Sequence, residues 1–276
     1  METIYYILLI AALIMPVYLW LIAPRILHRP DMTFFKNYHY AHRGFHNTTD
    51  APENSLKAFA NAIENGYGIE LDVHLTKDNV PVVFHDSTLN RMCNVNQKLC
   101  ELTLSELQKC ILLDTNEAIP TLESVLSLVN GRVPIIIEFK AEKNTAVLCE
   151  AVDRCMADYN GTYCIQSFYP SVLGWYRRNR PDIARGQLSS DFKRERKLCS
   201  ISLAVLSCLL TNCYTRPDFI SYNCKYPFVI SRLLCRDLFR APALAWTVRS
   251  VKEFIDIKDH FDSYIFENFK LSNRIL

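Results

Sequence analysis

The residues from Gly68 to Asp86, GIELDVHLTKDNVPVVFHD, read as two strands that fold back on each other. Glu70 and Asp72 stand two apart in a run of aliphatic residues, so on a strand both carboxylates point to one face. Lys77, Asp78 and Asn79 break the run as a tight turn, and Pro81 starts a second strand, Val82 to Asp86. With the turn centred on Asp78 and Asn79, the pairing sets His85 opposite Asp72. Leu71, Val73, Val82, Val83 and Phe84 require cover on both faces, unlike a solvated hairpin. Two carboxylates beside a histidine could hold a divalent cation next to a proton carrier.

Working outward, His39 to Gly44 reads as a strand ending in His42, Arg43 and Gly44. Asn54 or Ser55 then caps a helix from Leu56 to Asn65. Thr103 with Glu106 forms a capping box before a short helix, and Thr121 opens another helix that ends near Asn130. From Pro134 a regular rhythm sets in, with strands at 134–140, 162–168, 184–190, 218–223, 243–248 and 263–268 and helical stretches between them. With the first strand and the first arm of the hairpin this makes eight strands alternating with helices. Strict alternation implies parallel strands with crossovers, and eight units close as an α/β (β/α)8 TIM barrel over residues 39–276. An open doubly wound sheet is the other fold compatible with the rhythm, but no G-x-G-x-x-G supports its nucleotide-binding form. The apolar run Ile201 to Leu210 is too short to span a bilayer. It reads as a barrel helix against the sheet, with contact to a membrane surface as the other reading.

The 276 residues carry 31 basic and 29 acidic side chains for a net charge of +2, which gives no electrostatic case for a nucleic-acid partner. Eleven cysteines show no zinc or redox spacing and fit free thiols in a reducing compartment. No charge occurs from Ile4 to Pro24, and about 21 residues at ~1.5 Å each match the hydrocarbon layer. The N-terminus lacks the basic start and small-residue site of a cleavable signal, so residues 4–24 read as an uncleaved transmembrane anchor in contact with the lipid bilayer. Residues 25–38 then form a juxtamembrane connector. Arg25, Arg29 and Lys36 after the anchor predict a single-pass protein with its catalytic domain in the cytoplasm.

In a barrel the chemistry collects where the strands end. The strand ends supply His42 and Arg43, then Glu70, Asp72 and His85, then Glu138 and Lys140. Three carboxylates and two histidines on adjacent strand ends are hard to explain as packing, because unpaired buried charge costs several kcal/mol. Three carboxylates suit one hard divalent cation, Mg²⁺ or Ca²⁺, better than zinc. Two histidines permit one proton to be taken and another given, and the cations read as charge neutralisation on a phosphate ester.

In order, His42-Arg43-Gly44, Pro52-Glu53-Asn54-Ser55, Glu70-x-Asp72, Val82-Val83-Phe84-His85-Asp86, Ile119-Pro120-Thr121-Leu122 and Glu138-Phe139-Lys140 resemble the motif set of the glycerophosphodiester phosphodiesterase family, here in a membrane-anchored form of bacterial type. The resemblance runs from about His39 onward and is strongest up to Lys140. It implies hydrolysis of glycerophosphodiesters to an alcohol and glycerol 3-phosphate. It also implies that Glu70, Asp72 and Glu138 hold the metal, His42 and His85 act as general acid and base, and Arg43 and Lys140 hold the phosphate. Phe168 and Trp246 match weaker positions at later strand ends, as pocket wall. One departure is the last strand, Ile265-Phe266-Glu267-Asn268, which lacks the aspartate often found there. Two other readings accompany this one. The anchor admits lysophospholipids cleaved in a phospholipase D sense, and an inactive, membrane-tethered binding module would keep the barrel but lose a ligand or a histidine.

Overall fold

The computed structural model describes residues 2–140, 144–196 and 200–271, without the side chains of residues 2–4, 7–11 and 196. Its strands are β1 (Tyr40–Ala41), β2 (Gly68–Leu75), β3 (Pro81–Val83), β4 (Ile135–Phe139), β5 (Tyr163–Ser167), β6 (Arg185–Ser189), β7 (Phe219–Asn223), β8 (Ala243–Val248) and β9 (Ser263–Phe266). Around the sheet the order is β1-β9-β8-β7-β6-β5-β4-β2, and β1 also pairs with β2, so eight parallel strands close a barrel. β3 adds to β2 as the antiparallel arm of the hairpin.

The alternation of side chains along the strands builds the interior in layers. At the N-terminal end of the barrel Tyr40, Ile136, Cys164, Phe219, Leu244 and Ile265 form an apolar floor. Gly68 joins this layer without a side chain, because a Cβ there would lie 2.6 Å from the Tyr40 ring. Helix α1 spans Glu2–Ile22, and the short helix α2 (Thr33–Asn37) closes the floor with Phe35, whose ring lies 4.8 Å from that of Phe219. The odd positions of β4, Ile135, Ile137 and Phe139, face outward into the core shared with the helices.

Those helices begin where the sequence places caps. The Ser55 hydroxyl accepts from the Ala58 N–H at the start of α3 (Leu56–Glu64), and Thr121 does the same for Ser124 at α4 (Leu122–Val129). The Thr103 N–H donates to Glu106 at 2.8 Å, as a capping box requires.

The hairpin differs from its expected register. Val73 pairs with Val83 and Leu75 with Pro81, so Phe84, not His85, stands opposite Asp72. The loop holds three residues, Lys77 to Asn79, and not two; Asn79 takes a left-handed φ of 60° and Thr76 N–H closes on Val80 O. The second arm ends at Val83, so His85 lies on a bend beyond the ladder and is free of the strand's alternation.

The N-terminal segment is more integrated than a tether. Ile22, Ala23 and Pro24, expected inside the anchor, are buried against the barrel. Asn212 and Cys235 donate to the Ile22 carbonyl, and Arg216 donates to those of Trp20 and Ala23. Within the expected connector 25–38, Arg25 and Arg29 bond to floor carbonyls at Pro181, Phe239 and Arg240. Among the described residues no helix is long and apolar enough to cross a membrane, and within the span expected at 4–24 the side chains of residues 4 and 7–11 lie outside them. The run after Ile201 forms helix α5 (Ile201–Ser207), which meets the sheet only by its last turn: the carbonyls of the buried Leu206 and Ser207 accept from Ser189 of β6 and Tyr222 of β7, whereas Ile201 is 85% exposed. The ten described cysteines are all free.

Candidate active site

Two residues beyond the floor on each strand the interior changes character. On seven of the eight strands the next positions are His42, Glu70, Glu138, Gln166, Ser221, Trp246 and Glu267, and Asp72 follows Glu70 on β2. The register sets Asp72 beside Glu138 on the adjacent strand, and Glu70 beside Ile136. Glu70, Asp72 and Glu138 are all buried and each offers an oxygen within 4.8 Å of the others. The structure therefore brings together the three carboxylates read from the sequence.

Two cations meet them. Lys140 Nζ lies 2.7 Å from Asp72 Oδ1 and also contacts Glu138 Oε1. Arg43 Nε lies 3.4 Å from Asp72 Oδ2, its backbone N–H donates to Glu70 Oε2 at 3.1 Å, and its Nη1 donates to Glu53 at 2.7 Å. Arg43 has a left-handed φ of 56°, and Gly44 follows at 80°, where a Cβ would meet the Ala58 backbone at 2.8 Å. This tight turn aims both the Arg43 N–H and its guanidinium into the mouth.

The electrostatics are uneven. Burial alone would raise the Asp72 carboxyl, but Lys140 and Arg43 hold it well below the usual range. Glu70 is pushed well above its ordinary value by burial and by the neighbouring Asp72 and Glu138 charges. Burial works against the Lys140 ammonium too, and Asp72 and Glu138 more than offset it. Three buried carboxylates thus face two fixed cations, and the excess negative charge falls on Glu70. That excess and the all-oxygen donor set fit a hard divalent cation held by Glu70, Asp72 and Glu138.

The two histidines share one design. His42 Nδ1 lies 2.5 Å from Glu267 Oε2, and His85 Nδ1 lies 2.6 Å from Asp86 Oδ1. In a neutral ring so held, a proton on Nδ1 donates to the carboxylate and leaves Nε2 as an acceptor; in a protonated ring Nε2 carries a proton as well. Burial drives the His42 imidazole down to about 4 despite the bond to Glu267, so it is neutral at physiological pH. Glu267 is itself lowered to about 2: burial opposes its charge, and the His42 bond and Arg249 outweigh that. His85 is 32% exposed at its side chain and sits at the rim.

Several members of this arrangement escape a reading of the sequence. Asn54 is not the helix cap; its amide donates to Asp72 Oδ2 at 2.8 Å from a residue only 1% exposed. Arg91 bridges Asp86 and Glu53, which ties the His85 side of the mouth to Arg43. Glu267 occupies the strand end where an aspartate was missed, and its longer side chain reaches His42. Phe168 and Trp246 meet edge to face at 5.5 Å, and Phe192 joins them at 6.1 Å, forming an apolar wall across the mouth.

A closed (β/α)8 barrel with a buried acidic centre at the strand ends, flanked by two carboxylate-held histidines, defines the class of protein. The family model described as the glycerophosphoryl diester phosphodiesterase family matches residues 42–216, and the chain belongs to that family. Among its relatives, a Homo sapiens glycerophosphodiester phosphodiesterase 1 is 33% identical over 156 residues, covering 52% of this chain and 46% of the relative. A Rattus norvegicus lysophospholipase D is 32% identical over 149 residues, covering 49% of this chain and 46% of the relative. The matches span about half the length of these curated relatives. An Oleispira antarctica phosphodiesterase, solved in complex with the product sn-glycerol-3-phosphate, shares the fold with a TM-score of 0.69 at 21% identity, covering 83% of this chain and 92% of that one.

Proposed function

We propose that this protein is a metal-dependent phosphoric diester hydrolase that cleaves glycerophosphodiesters to an alcohol and sn-glycerol 3-phosphate. The observation that carries the reading is the pairing of a buried three-carboxylate cluster with two histidines whose Nδ1 atoms are each held by a carboxylate. Family membership supports the reaction class, and the product named for the Oleispira antarctica structure supports the glycerol phosphate end of the substrate.

A divalent cation, Mg²⁺ or Ca²⁺, held by Glu70, Asp72 and Glu138 would supply charge neutralisation for the phosphoryl oxygens. Arg43 and Lys140 orient the phosphate from the same side. One histidine Nε2 takes the proton from the attacking hydroxyl, of the substrate or of water, as its oxygen bonds to phosphorus. The bond from phosphorus to the alcohol oxygen breaks, and the other histidine, entering the step protonated at Nε2, gives that proton to the oxygen. Where the attacking hydroxyl is the substrate's own, water then opens the cyclic phosphate with the two histidines in exchanged roles. Phe168 and Trp246 wall the pocket on the far side and limit the alcohol group. Release of glycerol 3-phosphate from glycerophosphocholine tests this directly. It should disappear with chelator and return with Mg²⁺ or Ca²⁺; full turnover in a protein carrying both His42→Ala and His85→Ala sinks the assignment.

A second substrate class, lysophospholipids cleaved in a phospholipase D sense, is favoured by the apolar wall and by the apolar N-terminal helix, and a relative of this kind is among the matches. Of the anchor expected at 4–24, we propose that 4–17 enter the membrane, while 18–24 seat on the barrel. The free thiols support a cytoplasmic catalytic domain. The barrel engages Arg25 and Arg29, so these side chains lend that orientation less support than their position in the sequence suggests. A protease-protection assay on sealed vesicles decides the orientation.

A further inference from the structure

Helix α1 seats at a definite height on the barrel. Its last residues descend along the wall: Tyr18 neighbours Cys208 and Ser231, the Ile22 carbonyl meets Asn212 and Cys235, and Arg25 reaches Asp218. Asp218 immediately precedes β7 and marks the floor. Cys208 ends α5, whose neighbouring Ser207 bonds to the Phe192 N–H beyond the end of β6, and so marks the mouth. The helix therefore runs from the floor toward the mouth, and its length of roughly 30 Å at ~1.5 Å per residue carries its earlier residues past the mouth. The described side chains there have no barrel partner: Leu13, Ile14 and Val17 are 67%, 61% and 57% exposed.

The rim where α1 leaves the barrel is apolar as well. On one side α5 exposes Ile201 at 85%; on the other, Ile230, next to the Ser231 that neighbours Tyr18, is 67% exposed. Exposed Lys193 and Lys225 lie on the same rim, after β6 and β7. Large apolar side chains that surround the exit of an unpartnered apolar helix, with lysines beside them, match the interfacial layer of a bilayer.

We propose that this rim is a bilayer-docking surface and that the barrel mouth opens toward lipid head groups, so that the phosphodiester is drawn from the membrane surface. The docking clause rests on α1 and its rim alone; the substrate clause rests on the phosphodiesterase reading. The opposite end of the barrel also exposes apolar side chains, Ile26 and Leu27, but α1 projects away from it.

Two measurements on the full chain test the two clauses separately. In vesicles of phosphatidylcholine and phosphatidylserine, the fluorescence added by Ile201→Trp should be quenched by brominated acyl chains and that added by Ile26→Trp should not. Quenching at Ile26→Trp alone, equal quenching of both, or quenching of neither, as when a second copy covers the rim, overturns the docking. A variant with Ile201→Asp and Ile230→Asp should raise KM for vesicle-borne lysophosphatidylcholine about tenfold or more and leave turnover of soluble glycerophosphocholine unchanged. No change, or equal loss on both substrates, overturns the delivery of substrate from the membrane. If the parent protein hydrolyses neither substrate, the phosphodiesterase reading and the substrate clause fail together, and the quenching result still decides the docking.

Discussion

The floor and the mouth of the barrel use the same strands and opposite chemistry. At the floor, Tyr40, Ile136, Phe219 and Ile265 interlock under the Phe35 plug. Two residues along, the same strands present His42, Glu138, Ser221 and Glu267. The strand period carries both sets inward, so the difference owes nothing to geometry and everything to side-chain type. The floor gains stability from apolar burial, whereas the mouth spends it by holding three carboxylates out of water. The comparison teaches that the site is a local departure from good packing, held by the well-packed layer beneath it.

The largest expected effect is at the mouth. Glu138→Ala should reduce glycerol 3-phosphate release by about 10³-fold or more, since it removes both a cation ligand and a partner of Lys140. Far-ultraviolet circular dichroism should be unchanged; a lost fold would break the view that the floor carries stability. At the floor, Phe35→Ala should cost about 3–5 kcal/mol in denaturant unfolding with kcat nearly intact in the folded fraction.

Next in size is the pH response of the floor end. His39, buried between Phe254 and Tyr264 with neither ring nitrogen hydrogen-bonded, is lowered by burial to about 4. The unfolded chain takes up this proton near 6.5 and the folded chain only near 4. Stability is therefore complete above the unfolded value and is lost as pH falls between the two, by up to about 3 kcal/mol. His39→Phe should flatten that part of the acid-unfolding curve.

The sharpest test of the mouth's cost is Glu70→Gln. The raised Glu70 carboxyl means that the metal-free folded state binds the extra proton, so its stability falls as pH rises. In chelator, the variant should be more stable than the parent at alkaline pH by on the order of 1–2 kcal/mol while losing activity. The smallest effect should come from Glu267→Gln, which keeps the shape but weakens the hold on His42; kcat should fall about 10- to 100-fold with KM little changed.

Much of this was legible in the chain. Eight strand signals with helices between them led to the barrel, because alternation leaves few topologies. Glu70-x-Asp72 and Glu138-x-Lys140 revealed shared faces, because two-residue spacing survives any register. His85 was misplaced by one position, since a two-residue primed turn would need positive φ at Asp78 and only Asn79 takes it here, a choice that the residue types leave open. Glu267, Asn54 and Arg91 were not legible as partners. Their roles depend on closing the barrel and folding the rim loops, which bring Glu267 to His42 across 225 positions of sequence.

The sequence by itself determined the strand period, the acidic pairs and an apolar N-terminal helix, because each is written in local spacing. Only the tertiary structure decided which carboxylate steadies each histidine, where the excess negative charge gathers, and on which face of the barrel the N-terminal helix emerges. Those follow from closure of the barrel and from hydrogen bonds between distant residues, which no local pattern encodes.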